Sequence, residues 1–589
     1  MERAVGGGGE SGGGRRASLW ALGSALCVLG FWGVGLRYAG FRIAYGLGVQ
    51  EIHPAELGFL LWFLCLGLPA VYCAARALDA GGAPGRLLPW RLAARPGPLL
   101  ALGAALVLAG ALGLRHLVLL DAPVADDEST YVFIARTLLA GRVANPSPGD
   151  VAFFRNQFVV LDDASWYGKY PLGHPAALAL GEALGLRALV VPLLSAASFA
   201  LTFAVGRRVL AEREALLGTL LLLLSPQFLF TGATQLSQPA SGLCMLLGLW
   251  ALLRLDDGGR LRFAWLAGSA FALGILVRPL PGALFLGVAG TWVLLRFQGE
   301  PARRQARRIG AGLVPVALAC GVILAVQQAQ TGDPTRSGYD AYHGAYGGFF
   351  RGEWIAASLA GSLVRQNAWL FGWPLSFAFL PFARRGGRSV LLWGMIGAEC
   401  AYRVILPKTV VASTGPIYVA EIVPLLALLS ASGTTGAARW LADLGVARAR
   451  ERVTAAVLAA VLVGAVTFLP VQVHNLRRSG AAWQTANRLL DGAGAGRALV
   501  FADSMVDLAA GDSWAYFPPN PGPDLDDPRI FVRIPPGDDA PERARDFWLR
   551  RFPERSAWLF RFEDHEPVLR QLGAPRAQSR SSDSPAGRP

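Results

Sequence analysis

Charged side chains are scarce in this chain. Only 16% of its 589 residues are charged, 53% are hydrophobic, and the mean hydropathy is +0.40. Apolar side chains therefore exceed what one soluble core needs, and the composition indicates a polytopic membrane protein. The net charge of +14 comes from short Arg clusters between apolar runs. Since no basic stripe carries interleaved aromatic residues, we predict no nucleic-acid partner.

Cysteine pairs and histidine clusters are lacking as well. The six cysteines all fall inside apolar runs, and none forms a CxxC. The six histidines show no HxxH or HxxxH spacing. The sequence therefore predicts neither a disulfide nor a zinc site.

Thirteen apolar runs are long enough to cross a bilayer, which takes about 20 residues. They lie near 18–38, 55–77, 97–120, 186–209, 214–232, 236–255, 262–278, 280–296, 308–328, 366–383, 388–406, 415–435 and 453–471. If the N-terminus is cytoplasmic, every Arg cluster between these runs falls on the cytoplasmic side, as the positive-inside rule requires. The sequence therefore predicts a multi-pass α-helical protein of the inner (plasma) membrane, with its last segment extracytoplasmic.

The runs also suggest a division into domains. We predict a disordered Gly-rich cytoplasmic tail (1–16), two additional N-terminal transmembrane helices (17–96), a catalytic transmembrane unit (97–471) with a long extracytoplasmic loop (121–185), a small extracytoplasmic α/β domain (472–575) and a disordered tail (576–589). Within the α/β domain, 498-ALVFADS, 529-RIFVR and 557-AWLFRF have the pattern of short buried strands, and 541-PERARDFWLRRF has that of a helix.

Three consecutive carboxylates follow the third apolar run, in 121-DAPVADDESTYVFIARTLLAG-141. Asp126, Asp127 and Glu128 precede an amphipathic helix predicted from about 128 to 140, which Gly141 would end. Acids in a first turn can simply cap a helix, because they satisfy its unpaired N–H groups and its dipole. The alternative is a catalytic role, since the long outer loop that holds them is of the kind that is usually functional.

Cations and further polar groups gather on the same predicted side. Lys169, in 166-WYGKYPLGHP, either contacts a ligand or extends its charge to the membrane surface. Arg278 lies at an outward turn between two spans, where a guanidinium needs an anionic partner. Glu399 and Arg403, four residues apart, favour a structural ion pair over a site.

The outer segment 331-TGDPTRSGYDAYHG is either a solvated loop or a gate over a substrate. Lys408 and Tyr418 complete the outer set. Carboxylates and cations at one membrane face suit a donor that is a lipid phosphate ester. A carboxylate would take the proton of an acceptor hydroxyl, and cations would stabilise the departing phosphate.

Four motifs in order carry a resemblance to a known family. They are DE followed by x-x-Tyr (Asp127, Glu128, Tyr131) with GR and a Pro-containing turn after it, GKYPLGHP (168–175), TGDPTRSGYDAYHG, and 415-GPIYVAEIVP. The chain resembles the GT-C glycosyltransferases, in the bacterial branch similar to dolichyl-phosphate-mannose protein mannosyltransferases and aminoarabinose transferases. The resemblance runs from about 97 to 435. It departs from the family pattern at Leu172, where a second Pro is common, and at Ile417, where Arg is common.

The resemblance implies roles for these residues. Asp127 would be the catalytic base, with Glu128 and Asp126 beside it, and Lys169 and Arg278 would lie near the lipid phosphate. The other residues that we assign to substrate binding are Tyr131, His174, Arg336, Tyr339, Lys408, Tyr418 and Glu421. Members of the family differ in metal dependence, and because no DxD surrounds Asp127 we predict no metal and no other cofactor.

Three functions remain open at this point. The first is an enzyme that transfers a sugar from a polyprenyl-phosphate donor to an extracytoplasmic protein, lipid or glycan acceptor. The second is a transporter or flippase of lipid-linked sugars, which should show an internal repeat with broken helices and charges at the bilayer midplane. The third is a membrane scaffold for the outer domain, which leaves the acids without a role.

Overall fold

The computed structural model of the chain describes residues 9–35, 54–82, 96–344, 352–373, 375–407, 411–412, 414–507, 514–534, 537, 539–564 and 566–574. The α-helices are Gly9–Gly35, Pro54–Ala80, Pro96–Gly113, Asp126–Leu139, Val151–Phe154, Gly173–Ala183, Arg187–Val209, Glu212–Leu221, Pro226–Gly232, Gln238–Gly258, Leu261–Val277, Pro279–Arg296, Ala302–Thr331, Gly338–His343, Gly352–Trp369, Ser389–Ile405, Val423–Asp443, Ala449–Val466, Phe468–Trp483, Thr485–Gly492 and Ala540–Arg551. The strands are Asn145–Pro146, Val159–Leu161, Ser165–Gly168, Val411–Ala412, Gly415–Pro416, Ala498–Ala502, Met505–Asp507, Trp514–Tyr516, Arg529–Val532, Ser556–Glu563 and Glu566–Gly573.

Long apolar helices make this a multi-pass membrane protein. Within the described ranges, seven helices are long and apolar enough to cross a membrane, or eight if one bent pair is a single span. That pair bends by 63° between Glu212–Leu224 and Pro226–Gly232, at a Pro that cannot continue the preceding helix. Shorter apolar helices such as Leu261–Val277 occupy further predicted positions. The count of thirteen spans stays a prediction.

Two predicted spans and one predicted tail differ from the structure. The run 366–383 is not one helix: the helix Gly352–Trp369 ends, Gly372 turns with φ at 67°, and a 3-10 helix covers Ser376–Phe382. The run 415–435 becomes α-helical only at Val423: Gly415, with φ at 97°, starts a short strand, and a 3-10 helix at Ile417–Val419 follows it. Residues 9–16 are helical rather than disordered, while residues 1–8 and the tail 576–589 lie outside the described residues.

The segment between the third and fourth predicted spans, residues 121–185, is called the outer segment from here on after its predicted location. It folds over one end of the helical bundle. The helix Asp126–Leu139 packs against a three-stranded antiparallel sheet and the helix Gly173–Ala183. Gly173 lies so close to the end of Leu261–Val277 that a Cβ there would come within 2.6 Å of the Leu276 carbonyl. A side chain at this position would therefore push the outer segment off the bundle.

The C-terminal region contains a four-stranded sheet at the positions where the sequence predicts strands. Ala498–Ala502 pairs in parallel with both Arg529–Val532 and Ser556–Glu563, and Glu566–Gly573 adds an antiparallel edge. The helix Ala540–Arg551 covers it, so that one hydrophobic core holds Phe501 and Phe547 together with Phe153 of the outer segment. The two regions thus share a single core instead of folding separately. On which side of the membrane they lie stays a prediction.

Candidate active site

The three acids occupy the first turn of the helix Asp126–Leu139. Its N-cap, Ala125, makes no side-chain cap bond, and Gly141 follows its end with φ at 72°. The Glu128 carboxylate accepts the backbone N–H of Val124 at 2.7 Å and that of Gln235 at 2.6 Å. Because neither N–H belongs to the helix itself, Glu128 ties the helix start to a distant segment and does not act as a helix cap.

Burial distinguishes the three carboxyl groups. Asp126 and Glu128 are buried, whereas Asp127 is half-buried. Burial raises the pKa of Glu128 to about 7, although two backbone hydrogen bonds oppose the rise. Burial, followed by repulsion from Asp127, raises the pKa of Asp126. Asp127 is therefore the acid that a ligand can reach.

Asp127 is held by a tyrosine that follows Lys169 in the chain. The Tyr170 hydroxyl donates to Asp127 Oδ1 at 2.5 Å, and burial raises the Tyr170 pKa well above its usual value, so this proton stays on the phenol. The Tyr170 ring packs against Tyr131 at 4.8 Å and Tyr339 at 5.7 Å between centroids. Tyr131 in turn shares a hydrogen bond with Ser237 at 3.1 Å. Two of the predicted substrate-binding residues thus border the candidate base.

Lys169 lies among aromatic rings beside this cluster. Its Nζ is 3.5 Å from the Phe158 ring centroid, 4.9 Å from that of Tyr342 and 5.0 Å from that of Tyr170. Nζ is also 3.2 Å from His343 Nε2. Aromatic rings attract a cation, so this cage suits the Lys169 ammonium.

The segment 331–344 closes this aromatic cage. Ser337 and Asp340 form a capping box at the start of the helix Gly338–His343, which presents Tyr339, Tyr342 and His343 to Lys169. A Cβ on Gly338 would lie 2.6 Å from the Lys169 carbonyl oxygen. The motif is therefore packed against the site and is not a solvated loop along its whole length.

Arg278 has the anionic partner that a guanidinium at this depth requires. Its Nη1 donates to Glu421 Oε1, and its Nη2 lies 3.4 Å from the Tyr402 hydroxyl. Glu421 comes from the GPIYVAEIVP motif and has a fully buried side chain. This ion pair differs from the sequence-based expectation of a cation that is directed at a lipid phosphate. Any contact of Arg278 with phosphate stays a prediction.

A second ion pair lies beside the first. Arg403 and Glu399 are buried with N–O at 3.9 Å, in agreement with the structural pair that the spacing favours. The Arg403 guanidinium stacks over Tyr402 at 3.9 Å and over Tyr418 at 4.7 Å. Because the Arg278 guanidinium also lies 5.6 Å from the Tyr418 ring centroid, the predicted residue Tyr418 is in contact with both guanidinium groups.

Of the other predicted residues, His174 borders the cluster, because its ring packs against Tyr131 with 5.0 Å between centroids. His174 is fully buried, and its Nε2 donates to the Gln235 carbonyl at 2.7 Å. Burial lowers the His174 pKa to about 4, so this histidine is a neutral structural group. Arg336 is exposed, and its charge acts on Asp162 in the outer sheet. Lys408 lies outside the described residues.

Comparison with protein families gives a match over part of the chain. Residues 175–324 match the family model described as dolichyl-phosphate-mannose-protein mannosyltransferase. The resemblance predicted from the sequence is confirmed. Over these residues the chain is similar to that family. The mannosyltransferase-like segment begins just after GKYPLGH, so it contains Arg278 but neither the acids nor Lys169.

Similar solved structures have low sequence identity. ArnT from Cupriavidus metallidurans, bound to undecaprenyl phosphate, is 15% identical with a TM-score of 0.48, over 81% of this chain and 99% of that chain. The arabinosyltransferase EmbB from Mycobacterium smegmatis is 14% identical with a TM-score of 0.42, over 76% and 47%. The oligosaccharyltransferase AglB from Archaeoglobus fulgidus is 12% identical with a TM-score of 0.40, over 66% and 57%. Comparison with curated proteins gave no match.

The site predicted from the sequence omits residues of the C-terminal region that contact the helix Asp126–Leu139. The Asn520 backbone N–H donates to Ser129 Oγ at 2.7 Å, and its side-chain amide donates to Thr130 Oγ1 at 3.2 Å. Arg136 pairs with Asp527 at 2.9 Å. No sequence signal marks Asn520, because its partners are about 390 residues away. Tyr170, by contrast, stands in the GKYPLGHP motif and could have been included.

Proposed function

We propose that this protein transfers a sugar from a polyprenyl-phosphate donor to an extracytoplasmic acceptor, with Asp127 as general base. The observation that carries the proposal is that Tyr170 contacts both Asp127 and Lys169: its hydroxyl donates to Asp127 Oδ1, and its ring centroid is 5.0 Å from Lys169 Nζ. A base and a cation that contact the same side chain match the two needs of this reaction. A proton must leave the acceptor, and negative charge must develop on the departing phosphate.

An apolar groove beside Lys169 supports a lipid donor. The groove is lined by Lys169 and Tyr339, by apolar side chains that include Leu276 and Val322, and by the polar side chains of Gln327 and Gln330. Val322 is also 48% exposed on the helix Ala302–Thr331, so the groove opens toward the lipid-facing side of that helix. A polyprenyl chain fits the apolar part, and its phosphate fits beside the Lys169 ammonium.

The transfer proceeds by displacement at the anomeric carbon of the sugar. The acceptor hydroxyl oxygen forms a bond to this carbon while the bond from the carbon to the phosphate oxygen breaks. The polyprenyl phosphate leaves with the electron pair, and its charge is stabilised by Lys169. Asp127 takes the acceptor proton. Tyr170 keeps Asp127 oriented by donating to one carboxylate oxygen, which leaves the other to accept.

A deletion strain provides the direct test. The lipid-linked and cell-envelope glycans of the deletion strain, of its parent and of the strain complemented with Asp127→Asn are compared by mass spectrometry. We expect one polyprenyl-phosphate sugar to accumulate, and one glycan substituent to disappear, both in the deletion and in the Asp127→Asn strain. A glycan profile equal to that of the parent would reject the proposal. Accumulation of the donor on the cytoplasmic side alone would favour the flippase.

Lys169 should bind the donor phosphate. Lys169 and Lys408 are the only lysines in a sequence that otherwise uses arginine for its cations, and a compact ammonium fits the narrow ring cage better than a guanidinium does. We expect Lys169→Met to weaken the affinity for a polyprenyl phosphate about 10- to 100-fold, because a hydrogen bond to a charged group contributes about 1.5–3 kcal/mol. Equilibrium binding to the purified protein measures this.

Lys169→Arg is the matched control. It keeps the charge and should recover part of the affinity, while the thermal midpoints of both variants should remain near that of the wild type. Equal donor affinity in Lys169→Met would show that this lysine has no part in donor binding.

Asn520 should position the helix Asp126–Leu139, which begins with the three acids. Its amide anchors Thr130, which is buried one turn beyond the acids, so we expect Asn520→Ala to lower turnover about fivefold, corresponding to about 1 kcal/mol for one hydrogen bond. Donor affinity should not change. Arg550→Ala is the control, because Arg550 joins the same two regions through Asp150 at 2.7 Å but far from the acids. If both variants lose turnover equally, Asn520 only holds the regions together.

A further inference from the structure

A small cavity lies among the helices, lined by residues different from those of the donor groove. Its walls come from the helices Arg187–Val209, Pro226–Gly232 and Gln238–Gly258 and from the residues just before Val423–Asp443. Its polar lining includes Ser198, Gln227, Thr231, Gln238 and Glu421, and none of these side chains is more than 5% exposed.

Each of these five side chains has an oxygen without a hydrogen-bond partner in the described part of the chain: Ser198 Oγ, Gln227 Oε1, Thr231 Oγ1, Gln238 Oε1 and Glu421 Oε2. Two of the orientations are fixed by other contacts. Gln227 Nε2 donates to the Pro416 carbonyl at 2.8 Å, so its Oε1 must point elsewhere. Glu421 uses Oε1 for Arg278, which leaves Oε2 to the cavity.

Five oxygens without partners are costly inside a bundle. Each buried polar group left unpaired costs about 1–3 kcal/mol, and within a membrane there is no bulk water to satisfy it. The walls offer carbonyl and carboxylate oxygens, which can only accept, and two hydroxyls, which can accept as well. The ligand that fits such walls is a hydrogen-bond donor or a cation.

The composition of the walls favours a cation of single charge. Oxygen is the ligand that hard cations prefer. Divalent cations generally use carboxylates, and here the one carboxylate is already paired with Arg278. Within the described ranges, no group of three His, Cys, Asp or Glu residues could hold a metal ion, which argues against a transition-metal centre at these walls.

The backbone around the cavity is of a kind that binds ions in other membrane proteins. The chain bends by 63° before the helix Pro226–Gly232, and residues 233–237 interrupt the helices before Gln238–Gly258. Interrupted helices inside a bundle place oxygen ligands at its centre, as in sodium-coupled transporters. We propose that this cavity binds one monovalent inorganic cation, Na⁺ in preference to larger cations.

A bound cation would stabilise two side chains that hold residues of the candidate active site in place. It would fix Glu421, which holds Arg278, and Gln238, which follows the Ser237 that contacts Tyr131. The cation itself is structural and does not take part in sugar transfer. The proposal therefore does not depend on the proposed function.

The test measures the unfolding midpoint of the purified full-length protein in lipid nanodiscs, in choline chloride that is replaced stepwise by NaCl, KCl or LiCl at constant ionic strength. We expect NaCl to raise the midpoint saturably, as for any ligand that binds only the folded state, and KCl to raise it less. Equilibrium binding of radioactive Na⁺ to the wild type should give about one ion per chain. Equal midpoints in all four salts would overturn the proposal, since the oxygens would then be satisfied by water.

Two nearly isosteric variants locate the site. Ser198→Ala and Thr231→Val each remove one oxygen, and we expect each to weaken the apparent Na⁺ affinity about tenfold or more. Thr219→Val is the matched control, because this buried hydroxyl bonds only the Ala215 carbonyl of its own helix at 2.8 Å. An Na⁺ response that both cavity variants retain would place the ion elsewhere and overturn the assignment. If a variant fails to fold, binding of radioactive Na⁺ to the wild type still decides whether an ion is bound.

Discussion

Asp127→Asn should abolish sugar transfer while the fold and the affinity for the donor remain close to those of the wild type. The amide has the shape of the acid and can still accept the hydrogen bond from Tyr170, but it cannot take up a proton. Loss of a positioned base typically lowers the rate about 10²- to 10⁴-fold. Transfer from a purified polyprenyl-phosphate donor, together with the thermal midpoint and donor binding, measures all three quantities on one protein.

Asp162→Asn is the control for this substitution. Asp162 lies in the same outer segment, where it accepts hydrogen bonds from the backbone N–H groups of Ala164 and Ser165, and it has no contact with the acids. We expect its variant to retain turnover. Near-normal turnover in Asp127→Asn would remove Asp127 as the base, and Glu128→Gln and Asp126→Asn would then be tested in the same assay.

Arg278→Ala should destabilise the whole protein strongly. The substitution leaves Glu421, whose side chain is fully buried, without the guanidinium that compensates its charge. Breaking a buried pair by removing one partner costs about 3–5 kcal/mol, whereas replacing both partners by apolar side chains of similar volume is often nearly neutral. We therefore expect Arg278→Met with Glu421→Leu to be more stable than Arg278→Ala alone. Denaturant unfolding of the purified chain measures the difference.

Glu451→Ala is the control, because it breaks an ion pair that is exposed to solvent. Its ion pair with Arg448 is about half exposed on both sides, so its loss should change the stability by no more than about 1 kcal/mol. If Arg278→Ala unfolds at the same denaturant concentration as the wild type, the pair does not stabilise the fold. Arg278 would then again be a candidate for the phosphate contact that the sequence predicts.

The sequence predicted the bounds of several long apolar helices to within one residue. The run predicted at 186–209 is the helix Arg187–Val209, and the run at 280–296 is Pro279–Arg296. The prediction failed at 366–383, where Gly372 has a positive φ and the run divides into a turn and a 3-10 helix. Hydropathy measures how apolar a segment is and says nothing about its φ angles.

The candidate site was predictable only where its parts are neighbours in sequence. The acids form one turn, and Lys169 and Tyr170 are adjacent, so local motifs bring them to attention. The pairing of Arg278 with Glu421 spans 143 residues, and no local pattern predicts which distant carboxylate a guanidinium will meet. The same limit applies to Asn520, whose hydrogen-bond partners are about 390 residues away in the sequence.

The hydrogen bond from Asn520 to Ser129 and the ion pair of Arg136 with Asp527 each join residues that are 391 positions apart. At about 5–20 residues per second, a ribosome needs about 20–80 s to make the chain between them. During that interval the aromatic face around Phe153 has no Phe547 to cover it. A nascent chain that has reached residue 483 has therefore made every candidate span found in its described residues. The candidate site still lacks its contacts from Asn520 and Asp527, which form only when the C-terminal region has been synthesised.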